Sequence, residues 1–450
     1  MKKLLAKLLS VIPPGTHLVI GGTITLGLAS YIQIAVAGYG LDGDARAAMS
    51  ELWTLVMTLS LGLFFPVEQE LTRIVAARAV RGEGVAPVLR RATAVTFGMI
   101  AVICLVLAAA AKPIAETFLH GQTSMVWAFA AAMGGMGLVY LTRGILAGLG
   151  RFNAYGASLA IDGGLRIVLA PALFVAGVHS PLAYGLVLAV APLLAMLATL
   201  PSTVRGCLPG PPMRWSELFQ NMSMMICASL LAQLVVNAAA LSTSLLAPDD
   251  ASLQTAIVNA GVLCRVPLFV FGSLQPTLMT GLSSSATSGD RPAFLKMLLQ
   301  TCGVVGGLGL LAGVPAVLIG PWAIHIAFKS PNVLGSFDLF WFSAGTLFYM
   351  LAMVLGQALM AVHRHRMQLL GWVLGTAVLI GVTLVPGQVA TRVELAYFLG
   401  SMVTAASMLV FLWRVPHGQV AARGSGSSGT RGRHRAGSRR SARQLNRYPV

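Results

Sequence analysis

Three charged residues, Asp162, Arg166 and Arg265, stand inside long apolar stretches of this 450-residue chain. A charge in such surroundings is costly, so it faces a partner, a cavity or a ligand. Asp162 precedes Arg166 by four residues, which puts both on one helix face and lets them pair. Arg265 has no acid within one turn, so its partner comes from another helix, from water or from a ligand. Two readings stay open for these residues. They form ion pairs that lock helices together, or they form a basic patch for an anion, since a guanidinium matches phosphate oxygens in bidentate fashion. Pro267 and Pro276 follow Arg265 and predict a kinked helix.

A second cluster, Glu68, Glu70 and Arg73, lies just beyond an apolar run that ends at Pro66. Arg73 can pair back to Glu70, three residues away, or to Gln69, four away, and the cluster reads either as a solvated helix end or as a gate or proton site at an inner mouth. Nothing in the chain is arranged for catalysis. His363 and His365 flank Arg364 without Cys, Asp or Glu at ligand spacing, so no metal site is expected. The glycines of 303–313 lie in an apolar run with no strand before it, which assigns them to helix packing rather than to a phosphate loop. Cys104, Cys207, Cys227, Cys264 and Cys302 show no CxxC spacing. The expectation is a protein that is not an enzyme and uses no cofactor.

The elements that hold these residues follow from composition. The chain is 56% hydrophobic and only 10% charged, with a mean hydropathy of +0.79. A soluble domain carries roughly 25% charged residues, so lipid must cover this one. Few aromatics, many small residues and no short alternating segments point to an all-α, polytopic membrane protein rather than a barrel. Spans are predicted near 17–39, 48–68, 88–111, 123–147, 153–177, 181–200, 219–246, 252–281, 293–319, 336–361, 367–385 and 393–413, about twelve in all.

The Pro- and Gly-rich segment 201–217 divides the chain into a six-helix lobe (1–200) and a second six-helix lobe (218–413). Both lobes start on the same side, so a repeat between them would be parallel. Weak internal similarity agrees. Pro66 and Pro276 end corresponding apolar runs, and the stretch from Gly144 through Gly148 to Arg151 has a counterpart from Gly356 to His363. Gly144 and Gly148 are read as packing residues, and Pro66, Pro267 and Pro276 as hinges.

Loop charge orients the chain. Sixteen Lys and Arg residues, Arg73, Arg78 and Arg143 among them, fall on the side of the N-terminus, against Arg46, Lys112, Lys329 and Arg392 on the other. That bias predicts a plasma-membrane protein with both termini in the cytoplasm. Met1, Leu4, Leu5, Leu8 and Ile12 oppose Lys2, Lys3 and Lys7, as in a short helix lying on the inner membrane surface. The Arg-, Gly- and Ser-rich tail 414–450 is predicted to be disordered, reinforcing topology or attracting anionic headgroups. It lacks the aromatic interleaving of a nucleic-acid binder.

The run Gly62-Leu-Phe-Phe-Pro-Val-Glu-Gln-Glu-Leu-Thr-Arg73, with Arg143-Gly-Ile-Leu-Ala-Gly-Leu-Gly-Arg-Phe-Asn-Ala-Tyr-Gly156, resembles polysaccharide-biosynthesis flippases. These belong to the multidrug/oligosaccharidyl-lipid/polysaccharide (MOP) exporter superfamily. Arg265-Val-Pro-Leu-Phe-Val-Phe271 looks like the same family's eighth helix, and the resemblance covers residues 1–413. It implies two six-helix lobes around a central cavity with alternating access between them. It also implies a polyprenyl-pyrophosphate-linked oligosaccharide as cargo for cell-surface polysaccharide. A cationic cavity would hold the pyrophosphate, to which Arg166, Arg265 and Asp162 are assigned. Alternatives are a cation-coupled multidrug exporter, a lipid II flippase and a non-transporting scaffold tethered by its tail to a polymerase or glycosyltransferase complex. The absence of Asp and Glu from 17–39 and 219–246 counts against the first, and the helix number against the second.

Overall fold

The computed structural model describes residues 15–41, 43–247, 250–328 and 334–414, and all regular structure among them is helical. The predicted N-terminal surface helix and all but the first residue of the basic tail lie outside the described residues. The first half comprises α1 (Thr16–Gly40), α2 (Gly43–Leu63), α3 (Phe65–Val80), α4 (Ala86–Ala109), α5 (Ala111–Phe118), α6 (Thr123–Gly148), α7 (Phe152–Val175) and α8 (Pro181–Arg205). The second comprises α9 (Trp215–Leu246), α10 (Ala251–Cys264), α11 (Val266–Ser288), α12 (Arg291–Phe328), α13 (Ser336–Ala361), α14 (His365–Thr383) and α15 (Val389–Trp413). Among the described residues 11 stretches are long and apolar enough to cross a membrane, with α2 and α3 counting together as Glu51–Val80.

The difference from twelve spans lies at 252–281. Instead of one helix the chain forms α10 and α11, parted at Arg265, whose backbone sits at φ −91 and ψ 0. Pro267 in the first turn of α11 has no N–H to donate, and its ring excludes the carbonyl four residues earlier. The second span of the first lobe is interrupted in the same way. Phe64 separates α2 from α3, and Pro66 stands in the first turn of α3. Pro66 therefore opens the second half of a span rather than closing it, and the helix continues to Val80. This corrects the loop count. Arg73 and Arg78 on α3 and Arg143 on α6 are buried within helices. Removing them leaves the loop bias in the same direction.

The two largest of the apolar clusters among the described residues lie one in each lobe. One runs from Ala37 to Ala189 within the first lobe, the other from Ala228 to Met408 within the second. In the first lobe α1 packs on α7, α6 on α8 and α3 on α6; in the second α13 and α14 pack on α15, and α12 on α13. Lipid supplies no hydrophobic drive between helices, so close backbone approach matters. At the α3–α6 crossing a Cβ on Gly144 would stand 2.8 Å from the Glu68 carbonyl oxygen, and one on Gly148 2.6 Å from Val75 Cβ. That approach sets the Glu68 turn of α3 against the Arg143 turn of α6. The lobes meet where α11 packs on α1 and α3, and where α9 packs on α2 and α3.

Candidate functional site

A cavity of about 560 Å³ lies between the lobes. Trp53, Glu68, Tyr140, Arg143 and Tyr155 line it from the first lobe. Gln233, Asn237, Arg265, Gln275, Gln357 and Trp372 are among its lining from the second. Its charged wall groups are Glu68, Arg143 and Arg265.

Arg265 owes its position to the break between α10 and α11. Its guanidinium reaches back to α9, where Nη2 donates to the Val236 carbonyl and Nη1 donates to Asn237 Oδ1 at 3.3 Å. Both acceptors are neutral, and Nε has no partner. No carboxylate among the described residues neutralises it, so its charge is available to whatever enters the cavity.

The first lobe answers with a buried network. Asp162 on α7 accepts from two arginines at once: Arg166 Nε reaches Oδ1 at 2.9 Å, and Arg143 Nη2 reaches Oδ2 at 2.9 Å. Arg143 Nε also donates to Ser158 Oγ at 3.2 Å. Beside them Tyr155 donates its hydroxyl to Glu68 Oε1 at 2.7 Å. Two guanidinium groups share one carboxylate, and Arg265 on the opposite wall has no carboxylate among the described residues.

Arg166 is fully buried and does not line the cavity; it stands behind the wall with Asp162. The arginine that lines it from this side is Arg143, which sequence reasoning put in a loop. The i, i+4 rule found Asp162–Arg166, but the Arg143 pair crosses between helices and leaves no local signal.

Glu70 and Arg73 sit away from the cavity, at the end of the bundle that carries the basic loops. Neither Glu68 nor Glu70 is a solvated helix end, since both are buried. Arg73 grips Glu70 with Nη2 at 2.6 Å and Nε at 2.7 Å. Its Nη1 lies 3.1 Å from Nδ1 of His363, in the turn between α13 and α14 of the other lobe. Close by, Thr280 on α11 donates to the Ala147 carbonyl at 2.9 Å, again across the lobes. These contacts bridge the two lobes at this end. Pro276 lies inside α11, one turn before Thr280. Among the described residues no group of His, Cys, Asp and Glu is assembled for a metal ion.

No family model matches the chain. An uncharacterized protein of Mycobacterium tuberculosis (strain ATCC 25618 / H37Rv), Rv1510, is 25% identical over 403 residues, covering 88% of this chain and 91% of that protein. A second from the same strain, Rv3630, is 26% identical over 323 residues, covering 70% and 73%. Among solved structures, a mutant of the Vibrio cholerae MATE transporter VcmN superposes with a TM-score of 0.76 at 13% identity, over 89% of this chain and 94% of that one. An outward-facing multidrug resistance MATE family transporter of the MOP superfamily gives 0.72 at 13% identity, over 88% and 93%. The chain has the fold of these transporters.

Proposed function

We propose that this chain, with its MATE-type fold, is a membrane exporter that moves a polyprenyl-pyrophosphate-linked oligosaccharide across the plasma membrane by alternating access. The observation that carries this reading is Arg265 on the wall of the interlobe cavity, held by neutral acceptors in a cavity that Arg143 lines from the other lobe. A pyrophosphate takes up such a pair of guanidinium groups in bidentate fashion. The loop charge supports cytoplasmic termini, so the end bridged by Arg73 and His363 would be the cytoplasmic one and the lobes would part there to load cargo. The solved neighbours include a multidrug resistance transporter, but α1 carries no acid and the cavity wall offers an organic cation only Glu68, already engaged by Tyr155. In the scaffold alternative, a polar cavity at the lobe interface would have no use.

The test is flipping of a fluorescent lipid-linked oligosaccharide in proteoliposomes. Wild-type protein is expected to expose the sugar to an external glycosidase, and Arg265→Ala to slow this at least about tenfold, the worth of one charge-assisted hydrogen bond. Arg265→Ala protein that is folded and flips at the wild-type rate would remove the basis of the reading. Export of an organic cation in place of the lipid-linked sugar would favour drug extrusion.

A further inference from the structure

The second-lobe wall of the cavity holds polar groups that no hydrogen bond among the described residues satisfies. Gln357 on α13 is 1% exposed, lines the cavity, and neither its Nε2 nor its Oε1 has a hydrogen-bond partner. Gln368 on α14 also lines it, with Oε1 unpartnered. Gln368 reaches the α13 backbone next to Gln357, since a Cβ on Gly356 would stand 3.5 Å from its Nε2. One turn beyond Gln368, Trp372 faces the same space, its ring 5.5 Å from that of Tyr349 and tilted by 57°. From the opposite lobe Trp53 presents an enclosed Nε1 that likewise lacks a partner.

Buried amides are nearly always satisfied, and leaving them unmade is destabilising. Gln357 and Gln368 share one cavity wall, where a bound ligand can satisfy them. Its chemistry follows from what they offer. A carboxamide donates and accepts at once, which matches a hydroxyl group that does the same. The Trp372–Tyr349 pair adds flat apolar surface beside those amides. A phosphate, which only accepts, would use the donor half of each carboxamide alone, and a cation would use the aromatic faces but not the amide donors. A pyranose ring, hydroxylated at its edge and apolar on its face, fits both features.

We infer that Gln357, Gln368 and Trp372 form a saccharide-recognition wall that reads the sugar attached to the pyrophosphate, while Arg265 holds the pyrophosphate itself. The assignment rests on the export reading above and adds the residues that select the cargo. The full chain in nanodiscs is titrated with farnesyl diphosphate and with farnesyl diphosphates carrying single glucose, galactose, mannose, rhamnose or N-acetylglucosamine residues, and tryptophan fluorescence is read. At least one glycosylated probe is expected to bind about tenfold tighter than bare farnesyl diphosphate, the increment of one added hydrogen bond of this kind. Gln357→Leu and Gln368→Leu remove that gain and leave bare farnesyl diphosphate within about twofold, whereas Arg265→Ala weakens every probe. Gln357→Met replaces the leucine variant should the latter not fold. Retention of the sugar gain in both glutamine variants overturns the assignment, as does a wild type that binds farnesyl diphosphate but gains nothing from any sugar. Failure to bind farnesyl diphosphate at all removes the export reading and this assignment together.

Discussion

Arg73 of the first lobe lies with Nη1 3.1 Å from Nδ1 of His363 in the second, while its other nitrogens hold Glu70 at 2.6 and 2.7 Å. One guanidinium therefore belongs to a buried pair within its own lobe and to a contact with the other lobe at the basic end. The two roles separate on substitution.

Removing His363 leaves the Glu70–Arg73 pair intact and loosens only the contact between the lobes. His363→Ala is expected to raise the population with a parted basic end about fivefold, equivalent to about 1 kcal/mol for a bond to a charged donor near the surface. Spin-label distances between the Arg81 turn and the Arg364 turn would report it. An unchanged distance distribution means that Arg73 and His363 touch without holding the lobes.

Removing Glu70 does something else, because it strands a buried cation. Glu70→Ala is expected to cost about 3–5 kcal/mol of stability, and the Glu70→Ala/Arg73→Ala double variant less than that, since no uncompensated charge remains. Thermal unfolding in nanodiscs measures both. A double variant less stable than Glu70→Ala would show that packing rather than charge sets the cost.

Much of this arrangement could be read before the fold was known, and the reasons for the rest are physical. Hydropathy reports which stretches meet lipid, so helix content and most span positions were legible. It is blind to breaks inside a span, which is why 252–281 read as one helix although Arg265 parts it. The charges misled in one consistent way. Arg73, Arg78 and Arg143 stand near the ends of apolar runs and were counted as loop cations, but α3 and α6 run past them to Val80 and Gly148. Each then finds its partner inside the protein: Arg73 at Glu70, Arg143 at Asp162, and Arg78 at the Pro211 carbonyl, 2.8 Å away. Pairs within a turn are visible in sequence; those between helices, and the amides of Gln357 and Gln368, are not.

The α3–α6 crossing yields a third prediction. Gly148→Leu places a Cβ 2.6 Å from Val75 Cβ, and the neighbouring Thr72 carbonyl oxygen is backbone that cannot rotate away. Overpacking of this kind costs about 1–3 kcal/mol. Gly150→Ala, where no atom lies within 4 Å of the added Cβ but φ is +70, tests strain without collision. It is expected to cost about 1 kcal/mol through the left-handed backbone alone. Equal melting temperatures for Gly148→Leu and wild type would mean that the helices do not approach as closely as this.

Asp162 decides how the two arginines of the first lobe divide their work. It is buried between them, 2.9 Å from each. Asp162→Ala takes from Arg143 and Arg166 the carboxylate they share, and a loss of about 3–5 kcal/mol is expected. Arg166→Met keeps the remaining Asp162–Arg143 pair balanced one to one, so its cost should stay within about 1 kcal/mol, as when an apolar side chain of similar size replaces a buried ion. Asp162→Ala/Arg166→Met should then recover part of what Asp162→Ala loses. Transport separates the arginines further. Arg143 lines the cavity and Arg166 does not, so Arg143→Met is expected to slow flipping about tenfold at equal folded protein, and Arg166→Met about twofold or less. Thermal unfolding and the proteoliposome assay, run on the same preparations, give both readouts. If Arg166→Met slows flipping as much as Arg143→Met while remaining as stable as wild type, the cargo reaches behind the wall that Asp162 builds.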